Sequence, residues 1–76
     1  MKELVEVIAK ALVENPDEVV VTQKEEGKHI TLELHVAPSD MGKVIGKQGR
    51  IAKSIRAVIK AAASRSNKRV VVDIVQ

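Results

Sequence analysis

Residues 44–55 read Val-Ile-Gly-Lys-Gln-Gly-Arg-Ile-Ala-Lys-Ser-Ile, with Gly46 and Gly49 three positions apart. Glycine tolerates positive φ angles and, lacking a Cβ, lets a ligand approach the backbone. A helix is predicted to begin after Gly49, and the first N–H groups of a helix lack internal partners and attract anions. Because Lys47 lies inside this turn and Arg50 follows it, the segment predicts a loop that contacts phosphate groups.

The length of the chain limits it to one domain with a small core, which we place over residues 1–76. The sequence contains no Cys, which excludes disulfides and thiolate metal sites. Its charged N-terminus is unlike a signal peptide, and no apolar run approaches the ~20 residues needed to span a membrane. We therefore expect a soluble, cytoplasmic protein.

Charge is distributed unevenly along the chain. Residues 1–40 carry four Lys or Arg against nine Asp or Glu, whereas residues 41–76 carry nine Lys or Arg against Asp73 alone. The basic half contains the glycine loop, so the asymmetry favours a polyanionic partner. The alternative is that these cations only solvate the surface, but that would predict a mixture of signs.

Aromatic residues are absent: the sequence has no Phe, Tyr or Trp. Nucleic-acid-binding sheets of the RRM and OB types stack bases on exposed rings, and this chain cannot do so. Any nucleic acid would have to be held by backbone amides, charge and aliphatic contacts. We therefore expect weak intrinsic affinity and modest sequence preference.

Hydrophobic spacing and turn residues predict six elements. They are a helix from Lys2 to about Glu14, strands over 18–25 and 29–36, a short helix over 41–45, a helix from Arg50 to about Ser64 and a strand over 69–75. The two strands read as a hairpin, and a right-handed crossover would set the last strand parallel to the second. The order α-β-β-α-α-β predicts an α+β fold, a three-stranded mixed sheet with three helices on one face.

The faces of the helices follow from the same spacing. In the first helix we expect the buried face to hold Leu4, Val5, Ile8, Ala11 and Leu12, and in the long helix Ile51, Ala52, Ile55, Val58, Ile59 and Ala62. A basic stripe of Arg50, Lys53, Arg56 and Lys60 is predicted on the opposite side of the long helix. Ser39 or Asp40 is expected to cap the short helix.

A longer pattern surrounds the glycine loop: Pro38-x-Asp40-x-Gly42-x-Val44-Ile45-Gly46-Lys47-x-Gly49-Arg50, followed by Ile55-Arg56. This pattern resembles the core of a KH domain, and the element order resembles the type II, bacterial arrangement. Over nearly its whole length the chain is similar to the KhpA family of small bacterial single-KH proteins. The resemblance implies RNA binding, in which a KH domain holds about four single-stranded nucleotides.

The resemblance also implies which residues would contact RNA. The sugar-phosphate backbone would contact the loop residues Gly46, Lys47, Gln48 and Gly49. Nearby positive charge would come from Lys43, Arg50 and Lys53. An aliphatic groove would be lined by Val44, Ile45, Ile55 and the strand edge at Leu34. For Val44, Ile45 and Ile55, ordinary core packing is an equal alternative. One departure is Ala52, where many KH helices carry a branched residue, and this substitution puts the walls of the groove in question.

The resemblance further implies a role as an RNA chaperone or post-transcriptional regulator, acting as a homodimer or with a second KH protein of the KhpB type. Candidate contact surfaces are Val71 and Val75, and Ala57, Ala61 and Ser64. Two alternatives stay open: a protein–protein scaffold with incidental RNA binding, and duplex DNA binding by the basic helix. The pattern shows no catalytic constellation, cofactor motif or small-molecule site. His29 and His35, with Glu33 between them, are too far apart along a strand to share a metal ion.

Overall fold

The structure is a computed structural model that describes residues 1–75. Its helices are α1 (Lys2–Leu12), α2 (Met41–Ile45) and α3 (Arg50–Ala62), and its strands are β1 (Val20–Glu26), β2 (His29–His35) and β3 (Arg69–Val75). Short 3-10 turns precede β1, α2 and α3, at Pro16–Glu18, Pro38–Asp40 and Lys47–Gly49. The predicted order α-β-β-α-α-β is confirmed.

The sheet has the order β1-β2-β3. β1 pairs antiparallel with β2, so that Val21 faces Leu34, and β2 pairs parallel with β3, so that Leu32 faces Val72. The predicted hairpin and parallel crossover are both present, and the α+β arrangement of a type II KH fold is confirmed. β2 is the central strand, and β3 is left with one uncovered edge.

The core lies between the helices and one face of this sheet. Alternate strand residues point into it, as the period of two in a strand requires; they include Val21, Ile30, Leu32, Leu34 and Val72. From the helices come Val5, Ala9, Val44, Ile55 and Ile59. The opposite face of the sheet carries mainly polar side chains, and Val20 and Val71 are exposed there. Among residues 1–75, no helix combines the length and the apolar character needed to cross a membrane.

The buried faces of two helices are rotated from those predicted. In α1, Ala9 is fully buried, whereas Ala11 and Leu12 are exposed. In α3 the buried residues are Ala52, Ile55 and Ile59, and Val58 is 48% exposed. Consecutive helical residues are ~100° apart, so Val58 lies ~80° from the centre of a face formed by Ile55 and Ile59. Ala62, the last residue of the helix, is exposed as well. The predictions for Ala11, Leu12, Val58 and Ala62 are wrong.

The basic stripe of α3 is also placed differently from the prediction. Arg56 lies on the flank of the helix beside β3, where its Nε donates to the Val72 carbonyl oxygen at 3.2 Å, whereas Arg50, ~120° around the helix from Arg56, stays opposite the buried face as predicted. Lys53 and Lys60 occupy the same flank, since residues three and four apart share one side of a helix. This rotation brings these three cations of α3 toward the uncovered edge of β3.

Asp40 was a predicted cap of α2, but its side chain makes no capping hydrogen bond there. Its carboxylate is buried and accepts hydrogen bonds from the Glu14 and Asn15 backbone N–H groups, at 3.2 and 3.0 Å, and from Asn15 Nδ2 at 3.0 Å. Burial alone would raise the pKa of Asp40, but the bonds from Asn15 and Glu14 and the nearby Lys43 charge outweigh it and lower the pKa below 3.8. Asp40 thus ties the chain after α1 to the start of α2.

Candidate functional site

The loop between α2 and α3 has an unusual backbone. Gly46 has φ 75° and ψ 176°, a region that is essentially restricted to glycine. Gln48 and Gly49 both adopt left-handed conformations, with φ 57° and 74°. Within residues 1–75, Gln48 is the one non-glycine residue with a positive φ. The sequence identified the two glycines but gave no sign that Gln48 shares their conformation.

Ile51 fixes the position of this loop against α3. A Cβ built on Gly46 would lie 2.6 Å from Ile51 Cγ1 and 3.0 Å from the Ile51 backbone nitrogen, whereas a Cβ on Gly49 would meet nothing within 4 Å. Gly46 is therefore required by both backbone angle and space, and Gly49 by angle alone. Ala52, the departure noted in the sequence, is buried, and the branched Ile51 before it packs beneath the loop.

Some of the loop amides are already used within the loop. The Gly49 N–H donates to the Gly46 carbonyl at 3.2 Å, and the Arg50 N–H donates to the Lys47 carbonyl. These bonds close the turn and leave the exposed segment Lys47–Gln48 at its outer end. Any backbone contact with an anion is therefore best sought at the N–H groups of those two residues.

The predicted cations divide into two groups. Lys47, Arg50 and Lys53 are exposed at the loop and the first turn of α3. Lys43 instead lies 3.4 Å from Glu14 Oε1, and its side chain is directed toward the end of α1. The structure therefore brings three of the four predicted cations to one surface, with the exposed Gln48 beside them.

The predicted aliphatic wall is mostly inaccessible. Leu34 belongs to the central strand and is fully buried, so the prediction that it lines a groove at a strand edge is wrong. Val44 is fully buried and Ile55 is nearly so, which places both in the core, the alternative considered for them. Ile45 is half-buried. The sequence did not determine which of the three strands would be central, and β2 was therefore given a free edge that it does not have.

An open groove of about 440 Å³ lies between the last two turns of α3 and β3. One side of the groove is the apolar strand segment Val70, Val71 and Val72. Its rim consists of basic and small residues, namely Arg56, Lys60, Ala63, Ser64, Ser66, Lys68 and Arg69. Arg56 lies six residues beyond Arg50, or ~9 Å along the helix. The groove therefore begins about two turns beyond the loop end of α3, and no loop residue belongs to its lining. The parallel crossover itself was the sequence signal that could have located it, since it packs α3 against β3.

On the uncovered sheet face, Glu33 is occupied by neighbouring side chains. It accepts a hydrogen bond from the Thr22 hydroxyl at 3.1 Å and lies 3.7 Å from Lys24 Nζ. Residues 1–75 include no group of His, Asp or Glu side chains arranged to hold a metal ion. The histidines at either end of β2, His29 and His35, are separated by the length of the strand.

Comparison with known proteins identifies related sequences over the whole chain. A family model described as KhpA/KhpB, KH domain, matches residues 2–74. RNA-binding protein KhpA of Clostridium acetobutylicum is 67% identical over 75 residues, which cover 99% of this chain and 100% of that protein. RNA-binding protein KhpA of Clostridium perfringens is 63% identical with the same coverage, and that of Aquifex aeolicus is 47% identical over 76 residues, covering 100% and 96%. No solved structure matches the chain.

Proposed function

Because this chain belongs to the KhpA/KhpB family of KH-domain proteins, we propose that it binds single-stranded RNA through the Gly46–Gly49 loop and the groove between α3 and β3. Its relatives are named for RNA binding and not for a reaction, in agreement with the expectation that the chain is not an enzyme. Single-stranded RNA is the partner class that fits a domain without aromatic rings and with a phosphate-directed loop.

The observation that carries the proposal is the position of the glycine loop at the head of the basic flank of α3. Phosphate oxygens would accept hydrogen bonds from the Lys47 and Gln48 N–H groups, with the Lys47 ammonium as a nearby charge. Arg50 and Lys53 continue the positive surface from the loop into the first turn of α3. Backbone contacts of this kind hold the strand in register without reading its sequence.

The bases would then lie in the groove beside β3. The half-buried Val70 supplies accessible apolar lining, and Arg56 and Lys60 stand on the side of α3. A volume of about 440 Å³ falls within the ~300–1,000 Å³ of typical small-ligand sites. The groove is open to solvent, so a strand can reach it from the surface.

The test replaces the loop contacts with negative charges in the variant Lys47→Asp/Gln48→Asp. Both side chains are exposed, and Asp tolerates the left-handed conformation at residue 48, so the fold should be retained. We expect unchanged circular dichroism and loss of single-stranded RNA binding in fluorescence anisotropy. Lys10→Glu, on exposed α1, is the control for charge reversal and should bind normally. Normal binding by the double variant at moderate salt would place the site elsewhere.

We further propose that the protein acts in the cytoplasm as an RNA chaperone or post-transcriptional regulator and pairs with a second KH domain, its own copy or one of the KhpB type. A groove without rings binds weakly, and two linked grooves gain from effective concentration. Val7 and Val58 are 66% and 48% exposed on the helical side, and Val71 is exposed on the sheet. These side chains give association two candidate faces.

Association is tested by sedimentation of the variants Val7→Lys/Val58→Lys and Val71→Lys, alone and mixed with a KhpB-type partner. The helical variant should weaken the complex if helices form the contact, and the sheet variant if the sheet does. Monomeric behaviour of the unmodified protein at all concentrations, with no heterodimer, would contradict the proposal.

A further inference from the structure

The Arg56 side chain reaches from α3 to the uncovered edge of β3. Its Nε donates to the Val72 carbonyl oxygen at 3.2 Å. β3 pairs with β2 along its other edge, where the Arg69 N–H bonds to the Lys28 carbonyl at 2.7 Å. Residues of a strand alternate in the edge they address, so the Val72 carbonyl faces away from β2. The guanidinium is thereby held on the wall of the groove.

This bond engages one donor of Arg56 and leaves the rest of the guanidinium available. Among residues 1–75, neither Nη atom has a hydrogen-bond partner and no carboxylate forms an ion pair with Arg56. The side chain is exposed, so a ligand can reach these donors. The planar fork of arginine matches two adjacent acceptors, and a fork already oriented loses less entropy when it binds.

We propose that Arg56 selects one base of the bound strand, favouring guanine or cytosine over adenine and uracil. The inference rests on the proposed RNA binding. Guanine presents O6 and N7 side by side as acceptors, which arginine reads in a bidentate contact. Cytosine presents O2 and N3 in the same way. On the Watson–Crick and Hoogsteen edges of adenine and on the Watson–Crick edge of uracil, each acceptor adjoins a donor group, which would repel one arm of the fork.

The other cations at or near the groove are less suited to this task. Arg69 also lines it, but among residues 1–75 no side-chain hydrogen bond or ion pair holds its guanidinium in place. Lys53 and Lys60 carry compact charges on flexible stems and suit phosphate, a contact that is independent of sequence. Lys68 is paired with Glu25. Arg56 is distinguished by its fixed geometry: it lines the groove and is anchored to β3 by its own Nε.

The test measures dissociation constants by fluorescence anisotropy at fixed salt for a short oligouridine and for the same strand with one central G, C or A. For the unmodified protein we expect either the G strand or the C strand to bind roughly tenfold more tightly than the A strand and oligouridine. Whether G or C is preferred identifies the base edge that Arg56 reads. Arg56→Lys should remove the preference and bind all strands about as the unmodified protein binds oligouridine. Lys60→Gln should weaken all strands alike and keep the preference.

The outcomes separate this inference from the proposed function. Equal binding of all strands by the unmodified protein, or a preference that persists in Arg56→Lys, overturns the role of Arg56 and leaves RNA binding intact. Absence of binding to every strand overturns both. A structural role of the Arg56–Val72 bond would change the urea midpoint of Arg56→Lys but not the ratio between the strands, so both are measured on the same preparations.

Discussion

Gly46 and Ile51 adjoin so closely that residue 46 has no room for a side chain: a Cβ there would lie 2.6 Å from Ile51 Cγ1. The contact joins the end of α2 to the first turn of α3 and thereby sets the course of the loop between them. The two glycines of the loop, though identical in the sequence pattern, thus meet different constraints.

Gly46→Ala is expected to destabilise the protein more than Gly49→Ala. At Gly46 the substitution forces a backbone conformation that costs ~1–3 kcal/mol and adds the clash with Ile51. At Gly49 the left-handed conformation alone costs ~1–2 kcal/mol, since a Cβ there meets nothing within 4 Å. Urea unfolding of the two variants measures the difference.

The double variant Gly46→Ala/Ile51→Ala checks the cause. Removal of the Ile51 side chain should recover part of the loss, because the clash disappears while the backbone strain remains. A coupling energy near zero in this double-mutant cycle would show that Ile51 is not the constraint.

Asp40 is expected to make folding sensitive to acid. Its folded-state pKa lies below the ordinary value of 3.8, so the stability that its carboxylate contributes is complete above that value and is lost as the pH falls through the lower, folded-state pKa. Urea unfolding should therefore show a steeper fall in stability below pH 3.8 for the unmodified protein than for Asp40→Asn.

Asp40→Asn is also expected to be less stable at neutral pH, because an amide cannot accept from the Glu14 N–H, the Asn15 N–H and Asn15 Nδ2 without turning its own NH₂ toward a donor. Parallel pH profiles for the two proteins would mean that Asp40 titrates normally and that other carboxylates cause the acid response.

The rotation of α3 predicts opposite outcomes for two neighbouring residues. Ile59→Ala should cost ~2–5 kcal/mol, as for other large-to-small changes in a core, because Ile59 is almost completely buried. Val58→Ala, at a half-exposed site, should change the free energy of unfolding by no more than ~0.5 kcal/mol. Equal decreases in the free energy of unfolding for the two variants would instead support the wider apolar face predicted from the sequence.

These cases show what the sequence could and could not determine. The alternation of His29–Val36 and the two helices before Arg69 were sufficient for the hairpin, the parallel crossover and the fold, because each depends on local pattern and on handedness. Leu34 was misplaced because a groove at its strand edge requires β2 to have a free edge, and which strand is central is a property of the assembled sheet. Asp40 was one of two residues expected to cap the adjacent helix, a local role, whereas its actual partners lie 25 and 26 residues away. The groove beside β3 likewise exists only after α3 has docked.

Salt dependence gives the most direct check on the loop. Each phosphate contact on a single strand contributes ~0.7 to the slope of log affinity against log salt concentration. Lys47→Gln should therefore reduce the magnitude of that slope by about 0.7 and weaken all RNA sequences alike, because a phosphate contact carries no base information. Lys10→Gln removes the same charge from α1, outside the proposed interface, and should leave the slope unchanged. If both substitutions lowered the slope equally, net charge and not a contact at Lys47 would govern binding.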